Sequence, residues 1–466
     1  MTTQKATTGA AAQTSGLAAI VLAAGKGTRM QSALPKVLHR IAGRPMLGHV
    51  AATLAELNPQ QVLVVVPPGG EAIAAAAPGA RAVVQTEAHG TGDAVDRARD
   101  ALAGFDGDVL VVFADTPFLT ADTMRALLAA RRGPGKPALA VLGFEPAEPG
   151  AYGRLVRDGS GALAAIVEAK DANAAELTIR QCNSGMMVAD CRTLFSLLSE
   201  VGSNNAKGER YLTDVVRIAR ARGLSAAAVM GDESELMGIN SRAELAVAEG
   251  VVQDRLRRRA MDGGATLIDP ATVYFSMDTR VGRDVLIEPG VIFGPGVVIG
   301  DEVTIRAYSH IEGAIIESGA TVGPFARLRP GTKLEENSRV GNFVEVKNTT
   351  LGPEAKANHL TYLGDATIGA GANIGAGTIT CNYDGYTKSH TDIGDGAFIG
   401  SNTALVAPVK VGKGAVVGAG STITRDVPAD ALSLTRAEQK EFEGWAGRRR
   451  AERAAAKAKH KPTGSS

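Results

Sequence analysis

The turn that follows the first apolar run combines glycines with two nearby cations. It extends from Leu22 through Gly25 to Arg29, and Lys36 follows a few residues later. Glycines allow backbone N–H groups to approach a triphosphate closely, and Arg29 and Lys36 would neutralise its charge. The turn lacks the lysine-serine ending of a P-loop. This combination predicts a phosphate-binding turn of another kind.

A carboxylate closes another apolar run in the same half of the chain. Asp115 comes directly after the run that ends at Phe113, and a strand end at this place could hold a metal ion. Taken singly, Asp115 could instead cap the turn at Thr116. Asn183, a polar residue further along the chain, could likewise be either a functional group or an ordinary turn residue. The functional interpretation rests on finding these residues together and in this order along the chain.

The first half of the chain also predicts the sheet that would position these groups. Apolar runs alternate with helix-like stretches, the runs at 18–23, 61–66, 81–85 and 109–113 and the helices at 45–56 and 92–103. Continuous apolar strands between helices are typical of a parallel sheet that is covered on both faces. Functional groups should then cluster beyond the carboxyl ends of the strands. The predicted fold class of this half is Rossmann-like α/β.

In three runs between Val281 and Ile423 (281–311, 322–346 and 393–423), the second half places an aliphatic residue, or phenylalanine at 293, at every sixth position, usually with glycine behind it. A period of six fits neither an isolated strand nor a helix. It suits a parallel β-helix, in which three hexads close a coil and each aliphatic side chain stacks on its counterpart about 18 residues away. A glycine-rich linker with scattered valines would not keep this phase. The predicted fold is a hexapeptide-repeat β-helix.

One polar insertion interrupts the repeat. The period breaks at Thr380, and the segment 381–392 intervenes before the hexads resume at Ile393. An inserted polar loop on a rigid repeat is a common place for function. His359 lies shortly before it, and a neutral imidazole can act as a general base near neutral pH. The alternatives are a passive trimerising stalk and a histidine that only caps a corner.

A helix should connect the two halves. Ser241 and Glu244 form a capping box, and the helix they open should stop at Gly263 and Gly264. The predicted organisation is a disordered tail (1–16), an α/β domain (17–241), a linker helix (242–264), a β-helix domain (265–437) and a mobile tail (438–466).

The composition excludes several kinds of partner. The formal net charge is only +1, which gives no electrostatic reason to expect nucleic acid or an acidic membrane surface as a partner. The three cysteines form no C-x-x-C pair and no even framework, and the N-terminal residues lack the apolar region of a secretory signal. We therefore expect a cytoplasmic protein.

The first half resembles the signature of the sugar-phosphate nucleotidyltransferases. The resemblance implies that Arg29 and Lys36 are catalytic cations and that Asp115 and Asn240 hold Mg²⁺. It implies attack by a sugar 1-phosphate oxygen on the α-phosphorus of UTP, without a general base. It also implies a set of residues that bind UTP and UDP-N-acetylglucosamine: Leu22, Gly25, Lys36, Gln85, Gly90, Thr91, Gly153, Glu168, Asn183 and Asn240.

The second half resembles the acetyltransferase part of the bifunctional GlmU family of uridyltransferase/acetyltransferases, and the resemblance covers roughly 17–436 in the same domain order. It implies that His359 is the general base and that the substrates are UTP, glucosamine 1-phosphate and acetyl-CoA. The matching contacts to the acceptor sugar phosphate are Arg329, Lys347, Tyr362, Asn373 and Lys388. The matching contacts to acetyl-CoA are Asn382, Tyr383, Ser401, Ala419 and Arg436.

The same family implies a left-handed coil, a homotrimer, and a product that supplies peptidoglycan and other cell-envelope polysaccharides. One alternative is a nucleotidyltransferase of single activity whose β-helix serves regulation or assembly. Another is a scaffold that has lost its catalysis. His359, Asn382, Tyr383 and Lys388 argue against the first alternative, and the retained charged residues argue against the second.

Overall fold

The structure, a computed structural model, describes residues 16–459. The predicted disordered tail therefore lies outside the described residues except for Gly16. The chain forms two compact units that divide between Leu256 and Arg257. Each unit has its own architecture.

The first unit is an α/β domain built on one central sheet. Its strands are β1 Gly16–Leu22, β2 Arg40–Ile41, β3 Arg44–Pro45, β4 Gln61–Val66, β5 Arg81–Val84, β6 Gly107–Phe113, β7 Leu139–Phe144, β8 Arg154–Arg157, β9 Leu163–Val167, β10 Cys182–Asp190 and β11 Ala226–Met230. Its helices are α1 Met46–Ala55, α2 Glu71–Ala75, α3 Thr91–Asp96, α4 Ala121–Arg132, α5 Ala174–Leu177, α6 Cys191–Leu198 and α7 Asp214–Ala221. Helix α8, Arg242–Asp262, begins in this unit and crosses the division.

The sheet order is β11-β7-β10-β6-β1-β4-β5. Strand β1 pairs in parallel with β4 and β6, and its residues alternate between two separate apolar cores, so both faces of the sheet are covered. The predicted Rossmann-like α/β class is confirmed. The sheet is not wholly parallel, however, because β10 runs antiparallel to both β6 and β7.

The helix expected at 92–103 is shorter in the structure. Helix α3 ends at Asp96, and a 3-10 turn occupies Asp100–Leu102. The N–H groups of Ala98 and Arg99 donate to carbonyls three residues back, at 3.0 Å each. Such tightened bonds end an α-helix. The first turn of α3 nevertheless lies where the sequence predicts it.

The second unit is a coil of short parallel strands. They are β12 Thr266–Leu267, β13 Arg280–Val281, β14 Leu286–Ile287, β15 Ile292–Phe293, β16 Val298–Ile299, β17 Thr304–Ile305, β18 His310–Ile311, β19 Ala314–Ile316, β20 Thr321–Val322, β21 Arg327–Leu328, β22 Thr332–Leu334, β23 Arg339–Asn342, β24 Glu345–Leu351, β25 Lys356–His359, β26 Tyr362–Ile368, β27 Asn373–Ile374, β28 Ile379–Cys381, β29 Thr391–Ile393, β30 Phe398–Ile399, β31 Ala404–Val406, β32 Val409–Val411, β33 Val416–Val417, β34 Thr422–Ile423 and β35 Leu432–Ser433.

The strand register confirms the predicted stacking of the hexads. Ile287 pairs with Ile305, one coil later, and both side chains are fully buried. The coil that contains the polar insertion is longer, because Ile368 pairs with Ile393. The inserted residues leave the coil after β28 and rejoin it at β29, and Tyr386 at their tip is 94% exposed. The inserted loop therefore protrudes from the regular coil of the β-helix.

The sequence also makes predictions about the segments that contain helices α8 and α9. The Ser241 hydroxyl accepts from the Glu244 N–H and the Glu244 carboxylate accepts from the Ser241 N–H, so the capping box opens α8 as predicted. Helix α9, Trp445–Lys459, lies within the range of the predicted mobile tail, whose mobility stays a prediction. None of the helices in residues 16–459 is long and apolar enough to cross a membrane.

Candidate active sites

The ammonium group of Lys36 occupies the centre of the first candidate site. It donates to a carboxylate oxygen of Asp115 and, at 3.0 Å, to Oδ1 of Asn240. The Asp115 carbonyl accepts from the Ile239 N–H, and this bond places Asn240 beside the strand end. The structure thus brings together three predicted residues that are far apart in the chain.

The phosphate-binding turn packs directly against Lys36. Gly27 has a φ of 59°, and a Cβ there would lie 2.6 Å from the Lys36 Cβ. Only glycine therefore fits between the turn and the lysine. At Gly25 a Cβ would meet nothing within 4 Å, so the turn faces open space on that side. A ligand could approach the backbone there.

A cavity of about 290 Å³ extends from this turn to the segment that contains Gln85, Gly90 and Thr91, which the resemblance assigns to UTP binding. Its lining includes Leu22, Gly25, Lys36, Gln85, Gly90, Thr91 and Asp115. Arg29 is not part of this lining. Its side chain is exposed beside the turn and has no hydrogen bond or ion pair within residues 16–459. The structure therefore leaves Arg29 free for a ligand that extends beyond the cavity.

Three other residues of the predicted UDP-N-acetylglucosamine site, Gly153, Glu168 and Asn183, also lie together. The Asn183 N–H donates to the Gly153 carbonyl at 2.8 Å, and the Glu168 carboxyl carbon lies 3.6 Å from the position of a Cβ on Gly153. Asn183 Oδ1 is buried without a hydrogen-bond partner within residues 16–459. A buried acceptor without a partner is costly, so this atom is suited to a ligand hydroxyl or N–H group.

Glu168 has an unusual electrostatic environment. Burial raises the pKa of its carboxyl above the ordinary value, and a hydrogen bond from the Thr213 hydroxyl with the charge of Lys207 only partly offsets this. The Thr213 Oγ1 lies 3.2 Å from Glu168 Oε1. Because the carboxylate is poorly solvated, it gains from any ligand donor that reaches it.

The oxygen atoms of Asp115 and Asn240 form a donor set that fits Mg²⁺. Both already meet one cation, the Lys36 ammonium, so they converge on a single point. One carboxylate and one amide leave the other positions to water and phosphate oxygens, as Mg²⁺ prefers. Within residues 16–459 no group of three or more His, Cys, Asp or Glu side chains is arranged for a metal ion.

The second candidate site centres on His359, at the corner between β25 and β26. Its Nδ1 lies 2.8 Å from Oδ1 of Asn342, which stands one coil earlier in register with it. An amide oxygen only accepts, so this contact places the imidazole proton on Nδ1. Nε2 then keeps its lone pair. The geometry suits a general base, as the sequence predicts.

The predicted cations of the acceptor site form a cluster on the adjoining face. Lys388 approaches Lys347 closely enough to lower the pKa of Lys347, through hydrogen bonding and repulsion together. Arg329 adds to this repulsion and pairs with Glu345 at 2.8 Å. Like charges so close together would be relieved by an anion such as a sugar phosphate.

An aspartate and the other predicted sugar contacts border this cluster. Burial raises the pKa of Asp365, but hydrogen bonds from Asn348 and Asn382 and the charges of Lys347 and Lys388 outweigh it and hold the pKa below the ordinary value. Tyr362 begins β26 beside the cluster, and its hydroxyl packs over the Cα of Gly364. Asn373 instead lies in the neighbouring sheet, in register with Lys356 of β25.

The predicted acetyl-CoA residues fall into two groups. Arg436 Nη1 donates to the Ala419 carbonyl at 2.8 Å, and the Gly420 N–H donates to the Ser401 carbonyl at the same distance. Ser401, Ala419 and Arg436 therefore line successive coils of one exposed corner. Asn382 and Tyr383 belong to the inserted loop, where the Tyr383 hydroxyl donates to the Gly385 carbonyl at 2.6 Å.

A groove of about 600 Å³ runs beside His359. Phe325 and Phe343 line this groove, and their exposed rings continue a stack that begins at Tyr308, with neighbouring ring centroids 5.2 Å apart. We call this stack the aromatic ladder. Each ring residue has a left-handed backbone, with φ of 58°, 55° and 54°. That conformation is costly for bulky residues.

Sequence reasoning missed several residues that hold the predicted ones in place. They are Asp93, Arg210, Thr213, Asn342 and Asp365. Asn342 could have been found, because it precedes His359 by one coil of the repeat. Asp365 could have been found in the same way, because it precedes Asn382 by the same 17 positions. Asp93, Arg210 and Thr213 act through contacts that no local sequence pattern encodes.

Comparison with known families agrees with both halves of the structure. Residues 19–181 match the model of the MobA-like NTP transferase domain. Residues 278–313 and 390–425 match the model of the bacterial transferase hexapeptide, six repeats. The second match lies on the coiled unit and agrees with the left-handed parallel β-helix implied by the resemblance.

The chain is also similar over nearly its full length to curated proteins named "Bifunctional protein GlmU". The protein of Paramagnetospirillum magneticum is 57% identical over 95% of this chain and 98% of its own length. The protein of Sphingopyxis alaskensis is 57% identical over 93% of this chain and 96% of its own length. The protein of Azorhizobium caulinodans is 55% identical over 94% of this chain and 98% of its own length.

Proposed function

The chain belongs to the GlmU family of bifunctional proteins, and on that premise we propose how its two sites carry two reactions. The protein makes UDP-N-acetylglucosamine. It transfers an acetyl group from acetyl-CoA to glucosamine 1-phosphate, and then a uridylyl group from UTP to N-acetylglucosamine 1-phosphate with release of pyrophosphate. We assign uridylyl transfer to 17–241 and acetyl transfer to 265–437, with 242–264 as the linker helix.

One observation supports the uridyltransferase assignment above the others. Lys36, Asp115 and Asn240 meet at one point on the edge of a cavity whose far side carries Gln85 and Gly90. We propose that UTP lies along this cavity, with its phosphates at Lys36 and its base at Gln85. The sugar then reaches Gly153, Glu168 and Asn183.

The proposed reaction is in-line displacement at the α-phosphorus of UTP. An oxygen of the sugar 1-phosphate forms the new bond to phosphorus, and the bond to the pyrophosphate oxygen breaks. The nucleophile is already anionic, so no residue needs to remove a proton. Mg²⁺ bound at Asp115 and Asn240 would neutralise phosphate charge. Lys36 and Arg29 hold and neutralise the phosphates, which aligns the two substrates.

The acetyl-transfer site is proposed around His359. Nε2 of the neutral imidazole accepts a proton from the 2-amino group of glucosamine 1-phosphate as nitrogen attacks the thioester carbonyl. The C–N bond forms, the C–S bond breaks and CoA leaves. Arg329, Lys347 and Lys388 bind the sugar phosphate, with Tyr362 and Asn373 at the sugar. Asn382, Tyr383, Ser401, Ala419 and Arg436 bind acetyl-CoA.

A nucleotidyltransferase of single activity is not favoured. The relatives that match this chain over almost their whole length are named bifunctional. The contact between His359 and Asn342 and the cation cluster at Lys347 also have no evident use in a passive stalk.

We further propose that the protein is a homotrimer formed through the β-helix. Tyr308, Phe325 and Phe343 are 61%, 46% and 56% exposed, which is unusual for a continuous apolar stack. A second copy that packs along the aromatic ladder would cover it, and its protruding loop could enter the groove beside His359. Localisation in the cytoplasm is part of the proposal and agrees with the three cysteines being free thiols.

The deciding experiment measures both reactions on the purified protein. With glucosamine 1-phosphate, acetyl-CoA, UTP and a magnesium salt, thiol release and pyrophosphate release are followed separately. We expect thiol release without UTP, and pyrophosphate release only once acetylated sugar phosphate is present. The single-activity alternative would be favoured by a protein that releases no thiol from glucosamine 1-phosphate and acetyl-CoA but releases pyrophosphate from N-acetylglucosamine 1-phosphate and UTP.

The trimer is tested by Phe343→Asp, with Val247→Asp, a change at an exposed apolar residue of α8 outside the β-helix, as the control. Sedimentation should show a trimer for the wild type and monomers for Phe343→Asp, which should keep pyrophosphate release and lose thiol release. A wild-type protein that sediments as a monomer, or a Phe343→Asp trimer, would contradict the proposal.

A further inference from the structure

Gln85 is held in one orientation by a residue that the sequence did not single out. Its side-chain Nε2 donates to Oδ2 of Asp93 at 2.8 Å and to the Gly90 carbonyl at 3.3 Å. Both partners present acceptor oxygens, so the nitrogen of the carboxamide must face them. Gln85 and Asp93 are 6% and 4% exposed, so water offers little competition.

The other side of the carboxamide is therefore fixed as well. Gln85 lines the cavity, and within residues 16–459 no donor reaches its Oε1. The backbone N–H of Gln85 donates to the Val66 carbonyl at 2.9 Å, which anchors the residue at the end of β4. The Gln85 atom that remains available to a nucleobase is therefore the acceptor Oε1. The carboxamide cannot turn over to present the donor Nε2 in its place.

Asp93 is itself held by two cations on its far oxygen. Arg97 Nη2 lies 3.0 Å and Arg210 Nη1 lies 4.0 Å from Oδ1. Arg210 also pairs with Asp96, at 3.2 Å, and donates to the carbonyls of Leu198 and Val201. These contacts leave Oδ2 to Gln85. The cluster behaves as a rigid support rather than a mobile surface pair.

We propose that Asp93 is a positioning residue that sets the choice of pyrimidine, by keeping Gln85 Oε1 directed at the base. Uracil carries an N3–H donor that this oxygen can accept, whereas cytosine carries a lone pair on N3. Two acceptors would then oppose each other, and a buried polar pair of that kind is costly. The inference rests on the proposed uridyltransferase function.

The variant Asp93→Asn tests the mechanism directly. Arg97 and Arg210 donate toward one side of residue 93, so an asparagine would turn its oxygen to them and its NH₂ to Gln85. The Gln85 carboxamide would then turn over and present Nε2 to the base. We expect the UTP/CTP ratio of kcat/KM to fall by about tenfold or more, mainly through KM for the nucleotide.

Asp96→Asn is the matched control, since Asp96 lies on the same helix and pairs with Arg210 but does not contact Gln85. It should keep the wild-type ratio. On a Gln85→Ala background, Asp93→Asn should not change the ratio further. Thiol release and KM for N-acetylglucosamine 1-phosphate should stay at wild-type values in Asp93→Asn and Asp96→Asn. If Asp93→Asn does not fold, Asp93→Ser, which can also donate to Gln85, serves in its place.

The outcomes separate the inference from the function on which it rests. If the wild type uses CTP as well as UTP, the proposed base site is wrong. If the wild type prefers UTP and Asp93→Asn keeps that preference, the role of Asp93 is wrong while the function stands. An equal loss of preference in Asp93→Asn and Asp96→Asn, or a further loss on the Gln85→Ala background, would also overturn the inference.

Discussion

Replacement of Gly27 by alanine should displace Lys36 and thereby slow uridylyl transfer. The added Cβ would lie 2.6 Å from the Lys36 Cβ, well short of the 3.4 Å at which contacts become ordinary. Neither atom is the far end of a flexible side chain, so the turn or the lysine must move by nearly 1 Å, roughly the misplacement that can cost 10²-fold in rate. We expect pyrophosphate release to fall by about 10²-fold while thiol release is unchanged.

Gly69→Ala is the control for backbone strain. Gly69 also has a positive φ, of 73°, but a Cβ there meets nothing within 4 Å. Both variants carry the cost of a left-handed alanine, about 1–2 kcal/mol. That cost corresponds to a fall of about 2–8 °C in the melting temperature of a domain this size. Only Gly27→Ala should also lose activity.

The assay measures pyrophosphate and thiol release with each variant at saturating substrate, together with thermal unfolding. If Gly27→Ala releases pyrophosphate within about threefold of the Gly69→Ala rate, a gap too small for a misplaced catalytic group, the argument that Gly27 places Lys36 is refuted. If both variants lose activity equally, the effect belongs to backbone strain and not to the lysine.

Three further predictions follow from the same geometry. Asp115→Ala should lower pyrophosphate release by at least about 10²-fold through weaker binding of Mg²⁺, and a variant that binds Mn²⁺ as well as the wild type would contradict this. His359→Ala should slow acetyl transfer by about 10²–10⁴-fold with acetyl-CoA affinity preserved; an unchanged rate would make His359 structural. Because burial raises the pKa of Glu168, its carboxylate should protonate, and KM for N-acetylglucosamine 1-phosphate should rise, at a higher pH than for an ordinary glutamate. For the same reason the charged form of Glu168 costs stability above that pKa, so Glu168→Gln should melt at the same or a higher temperature near neutral pH. The part of the pH dependence of KM that comes from this carboxylate should disappear, and a pH profile of Glu168→Gln identical to that of the wild type would contradict the assignment.

The sequence determined the repeat and the apolar strands, because both depend on local patterns. A hexad places each aliphatic residue in the same position of the next coil, so the pairing of Ile287 with Ile305 follows from periodicity alone. A continuous apolar run such as β4, Gln61–Val66, is stable only when both faces are covered. The direction of β10 was not accessible in this way, since a buried antiparallel strand has the same apolar composition as a parallel one.

The tertiary structure alone decided how the site residues support one another. Lys36 meets Asn240 across 204 positions of the chain, and Gln85 is fixed by Asp93 and by the cations behind it. Residue types gave the candidates, because phosphate needs cations and Mg²⁺ needs oxygen ligands. The orientation of each site side chain depends on which donor faces which acceptor in a space closed to water. That pairing is set by the packing of the whole chain, and no single segment of the sequence encodes it.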